Sequence, residues 1–152
     1  MQRAWGVIIF ASLMGLGLIQ CKGSGLKPCQ VEIIRTEVNP LSENDVFVIV
    51  YVAVTNPNPK VLRLTSITTD LIVSRKKVGS SHISEPLQLS PNIPTRLTIS
   101  FFISYTGLHE DPAFTLRHHN GNLPCQLEGE VTVNDAGGSV TFPFRSNEFG
   151  SP

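Results

Sequence analysis

VFVIVYVAVTNPNP, residues 46–59, joins a long β-type run to an abrupt turn signal. Almost every residue of the run is β-branched or aromatic, which predicts a central strand that is covered on both sides. Asn56 and Pro57 then predict a turn, because an asparagine side chain can bond the backbone two residues on and proline fixes φ. The stretch therefore predicts a buried strand that ends at a tight turn.

Apolar and polar residues alternate in most of the remaining chain. In RLTISFFIS, residues 96–104, every second residue from Leu97 is apolar, and only Phe102 interrupts the polar side. Such alternation predicts a half-buried strand. Pro143 has no backbone N–H and predicts an edge strand or a bulge. Further strands are predicted over residues 30–38, 61–73 with a bend near Ser66, 77–83, 126–133 and 140–144.

Turn signals separate these strands, and one short segment predicts a helix. Turns are predicted at residues 39–45, at the polar SRKK of 74–77, and at 134–138 as a hairpin. Asp111 predicts a helix cap with Pro112 at the first helical position and an end near His118. About seven short strands with one short helix predict an all-β fold, an antiparallel β-sandwich of the immunoglobulin or fibronectin III-like kind.

The amino-terminal run is typical of an export signal. Residues 4–19 contain no ionisable side chain, and the run is shorter than the ~20 residues needed to span a bilayer. It ends in LIQC, residues 18–21, which resembles the lipobox of bacterial lipoproteins. The resemblance implies that the chain is cut before Cys21 and that Cys21 carries diacylglycerol. Gln20 departs from the small residue usual there, and an ordinary signal peptide with a chance cysteine, or an uncleaved anchor, are the alternatives.

The lipoprotein resemblance implies an address and a domain organisation. Lys22 stands where an aspartate would hold a lipoprotein at the inner membrane, so we expect a protein on the outer membrane of the bacterial cell envelope, facing the periplasm. The fatty chains on Cys21 would insert into the bilayer, so we expect the protein to bind the membrane through this lipid anchor. The predicted segments are a signal peptide at 1–20, the lipidated cysteine and a flexible tether at 21–29, a β-sandwich domain at 30–146 and a tail at 147–152.

Cysteine parity and charge add two expectations. With Cys21 lipidated, Cys29 and Cys125 remain, and an even remainder in an exported chain predicts a disulfide between them. Two reduced, buried cysteines, or a metal site, are the alternatives, although the chain has no CxxC or Cys/His spacing of the kind that metal sites use. The chain has 12 basic and 12 acidic residues without a block of like charge, so we expect no nucleic-acid partner. Envelope proteins or lipids are the partners that fit this expectation.

The sequence contains no recognisable catalytic motif, and we predict a protein that is not an enzyme and needs no cofactor. The cluster of residues 109–119 holds His109, His118 and His119 beside two acids. Adjacent histidines diverge on a helix or a strand, so this cluster predicts a polar connection rather than a metal site.

The order of the motifs resembles the LEA type 2 (LEA14-like) family with its water-stress and hypersensitive-response (WHy) domain. The β-rich strand that ends in NPN is followed by LRL at 62–64, the proline-flanked LSPNIPTRLTISFFIS at 89–104, and LEGEVTV with VTFPF near the end. The likeness covers about residues 30–146 and implies an antiparallel β-sandwich. Asn56, Pro57 and Asn58 match the family's Asn-Pro turn motif, and Gly129 matches a strand glycine; the resemblance assigns catalysis to none of them.

Two functions are compatible with these features. The family resemblance implies a stress-related module, for desiccation or envelope stress, that protects or contacts other envelope components through an exposed face at the edge of the sandwich. The alternative is a module that binds or transfers a lipid or another apolar ligand. In that case residues 46–54 and Phe102 would line a groove between the sheets; otherwise these side chains fill the core.

Overall fold

Eight strands and one short helix make up the structure, a computed structural model that describes residues 25–119 and 121–150. The predicted signal peptide and Cys21 lie outside the described residues. The elements are β1 Gln30–Pro40, β2 Asp45–Thr55, β3 Leu62–Val73, β4 Lys76–Ile83, β5 Leu87–Leu89, β6 Thr95–Ser104, α1 Glu110–His118, β7 Gln126–Asp135 and β8 Gly138–Arg145. The predicted strands and helix are all present. β5 is an addition, because its three residues stand between proline-containing segments that favour a loop.

The strands form two antiparallel sheets that face each other across one core. The smaller sheet has the order β1-β2-β6, and the larger has the order β4-β3-β7-β8 with β5 paired to β3. The buried apolar residues of both sheets form one continuous cluster. The predicted antiparallel β-sandwich is confirmed, with eight strands in place of about seven.

β2 is central in its sheet, but only one of its faces lies in the core. Val46 and every second residue as far as Val54 have no exposed surface, whereas the residues between them are half-buried. The prediction of cover on both sides is therefore wrong. Phe47, Ile49 and Tyr51 lie on the side of the smaller sheet away from the core, here called the outer face, and Phe47 is paired with Phe102 of β6. Cross-strand pairs of this kind favour aromatic and β-branched residues without full burial.

Local features of the larger sheet agree with the predictions from the sequence. β3 has a register shift between Leu64 and Ser66, where a bend was predicted. β8 is paired with β7 and carries Pro143 opposite Glu130, which confirms the edge position. Ser74 and Arg75 join β3 to β4 with φ of 50° and 62°, the left-handed geometry of a two-residue hairpin turn.

The helix begins earlier than predicted. His109 is the N-cap, and its side chain makes no capping hydrogen bond. Pro112 lies in the first turn, where its missing N–H costs nothing, and it is buried together with Leu116. Burial of these two side chains, rather than a cap at Asp111, positions α1. Among the described residues, no helix is long and apolar enough to cross a membrane.

Candidate functional site

Asn56 sits at the junction between the two sheets with no exposed surface. It follows the last residue of β2, and its Nδ2 donates to the carbonyl oxygens of Lys60, at 2.8 Å, and of Leu89, at 2.9 Å. The backbone carbonyl oxygen of Asn56 accepts the backbone N–H of Asn92 at 2.8 Å. One side chain thus ties the end of β2 to the segment before β3 and to β5.

Asn58 extends this junction to the amino-terminal segment. The Oδ1 of Asn56 accepts the backbone N–H and the Nδ2 of Asn58, both at 3.0 Å. Asn58 in turn bonds the backbone of Lys27 twice, with Oδ1 accepting its N–H at 2.7 Å and Nδ2 donating to its oxygen at 2.9 Å. Buried amides with satisfied partners stabilise one geometry and are costly to disrupt. The Asn-Pro motif is therefore a structural junction in this chain.

Gly129 of β7 is required by a close approach to β3. A Cβ placed on it would lie 2.0 Å from the carbonyl oxygen of Thr68 and 2.8 Å from the Cα of Thr69. Both contacts are with backbone, which cannot move aside as a side chain can. The glycine that the family resemblance singles out therefore acts through packing.

Cys29 and Cys125 are free thiols, and the predicted disulfide does not form in the structure. Cys29 lies beside the β2–β3 connection, since Gln30 pairs with Thr55, whereas Cys125 precedes β7 at the far end of β3. A disulfide needs Cα atoms within about 7 Å, and β3 runs between these two places. Burial raises the pKa of both thiols, that of Cys125 to about 12, so neither is a poised nucleophile.

An open pocket of about 810 Å³ lies against the smaller sheet. Its floor includes Arg35, Tyr51 and Thr98, which the register aligns across β1, β2 and β6. The Arg35 guanidinium lies 4.2 Å from the centre of the Tyr51 ring and forms an ion pair of 2.8 Å with Glu37. The other lining residues are Ile34, Ile83, Glu85, Leu87, Arg96, Leu97 and Asn122.

No sequence pattern indicates this pocket. Arg35 and Tyr51 become neighbours only through strand pairing, and the register shift between Ile33 and Arg35 places Ile34 at the rim with 43% of its surface exposed. A bulge in one strand has no strong sequence signal. Residues 46–54 and Phe102 do not line a groove between the sheets as the apolar-ligand alternative requires, because every second residue from Val46 to Val54 is packed in the core and Phe102 lies on the outer face, 64% exposed.

The histidine cluster makes local contacts. His118 stacks on Phe114 at 4.2 Å and its Nδ1 lies 3.0 Å from the Phe114 carbonyl oxygen. The Nδ1 of His119 lies 3.1 Å from the carbonyl oxygen of Leu116. Within residues 25–119 and 121–150, no three His, Cys, Asp or Glu side chains are grouped as metal ligands would be.

One solved structure supports this architecture. A solution structure of a protein from Arabidopsis thaliana superposes with a TM-score of 0.60 at 16% identity, covering 85% of this chain and 85% of that chain. A crystal structure of a protein from Archaeoglobus fulgidus gives a TM-score of 0.45 at 11% identity, covering 79% of this chain and 91% of that chain. No curated protein sequence matches the chain.

The family comparison is the more specific one. The LEA_2 model, described as late embryogenesis abundant protein, matches residues 51–148. The match runs from the second half of β2 to beyond β8 and includes Asn56, Pro57, Asn58 and Gly129, which the junction and the close strand approach require. The chain belongs to the LEA_2 family of late embryogenesis abundant proteins.

Proposed function

We propose that this chain is a lipid-anchored, non-catalytic LEA type 2 module of the bacterial cell envelope that protects or contacts other envelope components under desiccation or envelope stress. Surface contact is its mode of action, and the outer face of the smaller sheet is the contact surface. The observation that carries this proposal is the aromatic pair Phe47 and Phe102, which stands on the outer face with Phe102 64% exposed. Exposed aromatic side chains on a rigid sheet suit contact with apolar segments of a partner.

A drying experiment tests the contact surface. A desiccation-sensitive reporter enzyme is dried and rehydrated with the protein, and recovered activity is measured. We expect Phe102→Ser to lower the recovery and Phe114→Ser, on α1 with a similar exposure of 62%, to leave it unchanged. Equal recovery with both variants contradicts a role for the outer face.

The lipid anchor has its own test. Cells that express the full chain are grown with labelled palmitate, and membranes are separated from soluble proteins. We expect the wild-type chain to carry the label in the membrane fraction, and Cys21→Ala to carry none. A labelled Cys21→Ala variant would show that Cys21 is not the lipid site.

A second function, binding of an apolar ligand, is favoured by the pocket on the smaller sheet. Its volume of about 810 Å³ lies within the roughly 300–1,000 Å³ of small-molecule sites. Ile83, Leu87 and Leu97 supply apolar walls, and Arg35 and Arg96 supply positive charge for an acidic head group. Native mass spectrometry of the purified protein tests this function: a co-purifying lipid that is lost in Leu97→Asp supports it, and ligand-free wild-type protein counts against it.

A further inference from the structure

Four segments meet at one end of the sandwich, and we call this end, residues 25–28, 56–61, 90–94 and 136–137, the NPN end. The Asn58 side chain joins the first two segments through Lys27. A backbone bridge joins Asn56 to Pro91. Lys60 pairs with Asp135 beside the β7–β8 turn.

Two apolar side chains point into solvent from adjacent loops of the NPN end. Val61 is 54% exposed and Ile93 is 60% exposed. A single exposed apolar residue is ordinary on a protein surface. Prolines surround both residues, at 57, 59, 91 and 94, so the two loops are stiff and hold these side chains outward at little conformational cost.

Positive charge predominates around the same two residues. Lys27, Lys60 and Arg63 lie in or next to the NPN end, and the acidic Asp135 lies beside Lys60. Lys60 already pairs with Asp135, which leaves an excess of cationic side chains. Such an arrangement is complementary to the head groups of an anionic bilayer.

The chain also enters the domain at this end. Two hydrogen bonds to the buried Asn58 fix the backbone of Lys27. Cys21 precedes Lys27 by six residues, and six residues reach at most about 20 Å. A strand as long as β2, with 11 residues, spans about 35 Å. An anchor at Cys21 therefore holds the NPN end close to the bilayer, with the opposite end of the sandwich farther away.

We propose that the NPN end is a membrane-facing surface, with Val61 and Ile93 inserted into the head-group region of an anionic bilayer. This inference rests on the lipid anchor of the proposed function. The anchor supplies proximity, and the two apolar side chains with the surrounding cations supply orientation. The outer face then stands roughly perpendicular to the membrane plane. Phe102 on this face is open to contact with other envelope components.

Tryptophan fluorescence tests the orientation, because Trp5 is the single tryptophan of the chain. Three reporters are made on a Trp5→Phe background, Ile93→Trp, Phe102→Trp and Phe114→Trp, at sites exposed by 60%, 64% and 62%. The full chain is expressed with labelled palmitate, purified from membranes and placed in vesicles of phosphatidylcholine and phosphatidylglycerol with brominated acyl chains. We expect the bromines to quench Ile93→Trp several-fold more strongly than the other two reporters.

The results separate the inference from the anchor. Labelled protein in which the three reporters are quenched equally, or in which Phe102→Trp or Phe114→Trp is quenched most, overturns the membrane-facing role of the NPN end while the anchor stands. Absence of label overturns the anchor, and the inference with it. Adding Val61→Asp to the Ile93→Trp reporter is expected to reduce its quenching; unchanged quenching excludes Val61 from the contact.

Discussion

At the scale of the residue, Cys125 shows how burial controls chemistry. It is 3% exposed, and desolvation raises the pKa of its thiol from 9.0 to about 12. A thiol whose pKa is higher in the folded state than in the unfolded state makes its full contribution to stability when the pH is below the unfolded-state pKa. This contribution is lost as the pH rises from the unfolded-state pKa towards the folded-state pKa.

We expect the free energy of unfolding to fall by about 1.4 kcal/mol between pH 7 and pH 10 because of Cys125, since pH 10 lies one unit above its unfolded pKa. Urea unfolding at the two pH values measures the change. Other groups titrate in the same range, so Cys125→Ala is the control, and its decrease is expected to be smaller by this amount. Identical decreases in the two proteins would show that the thiol does not contribute.

At the scale of the element, the spacing of β3 and β7 depends on Gly129. We expect Gly129→Ala to destabilise the protein by about 3 kcal/mol, the upper part of the range for overpacking, because the added methyl would lie 2.0 Å from the Thr68 carbonyl oxygen. Chemical denaturation measures the loss.

Gly79→Ala provides the matched control in β4. Its Cβ would meet a side-chain atom, the Cγ1 of Ile103, at 3.3 Å. A side chain can give way by a few tenths of an ångström, so we expect a change below about 1 kcal/mol. A Gly129→Ala variant as stable as Gly79→Ala would contradict the close backbone approach.

The same scale shows how far sequence determines structure here. Period-two alternation predicted β6 and β7 closely, and Pro143 predicted the edge position of β8, because these signals are local. β5 was missed since three residues make too short a pattern. The sequence does not distinguish the outward half of β2 from a buried half, because Phe47 and Ile49 have the same β preference on the outer face as they would have in a core.

The candidate sites divide in the same way. The turn motif at Asn56 could be predicted because one side chain and its neighbours in the sequence form it. The pocket beside Arg35 and Tyr51 could not, since it depends on strand register and on a bulge. The predicted disulfide was wrong because an even number of cysteines gives no information about the distance between them, and the topology separates Cys29 from Cys125.

At the scale of the whole molecule, Asn56 joins the two sheets at one end of the sandwich. Its Nδ2 donates hydrogen bonds to the carbonyl oxygens of Lys60, before β3, and of Leu89, in β5. Its backbone directly follows β2 of the smaller sheet. Asn56→Ala leaves the buried carbonyl oxygen of Leu89 without its donor and the buried N–H groups of Asn58 without their acceptor, at about 1–3 kcal/mol for each unsatisfied group.

We expect Asn56→Ala to lower the free energy of unfolding by about 3 kcal/mol or more and to speed amide hydrogen exchange in β2 and in β7 alike, because the junction couples both sheets. Asn58→Ala, which releases Lys27 but keeps the donors of Asn56, should lose less. Asn44→Ala, an exposed asparagine in the β1–β2 loop, is the control and should change little. Faster exchange confined to β5, with β2 and β7 protected as in the wild type, would show that the asparagine holds a local turn and that the core alone couples the sheets.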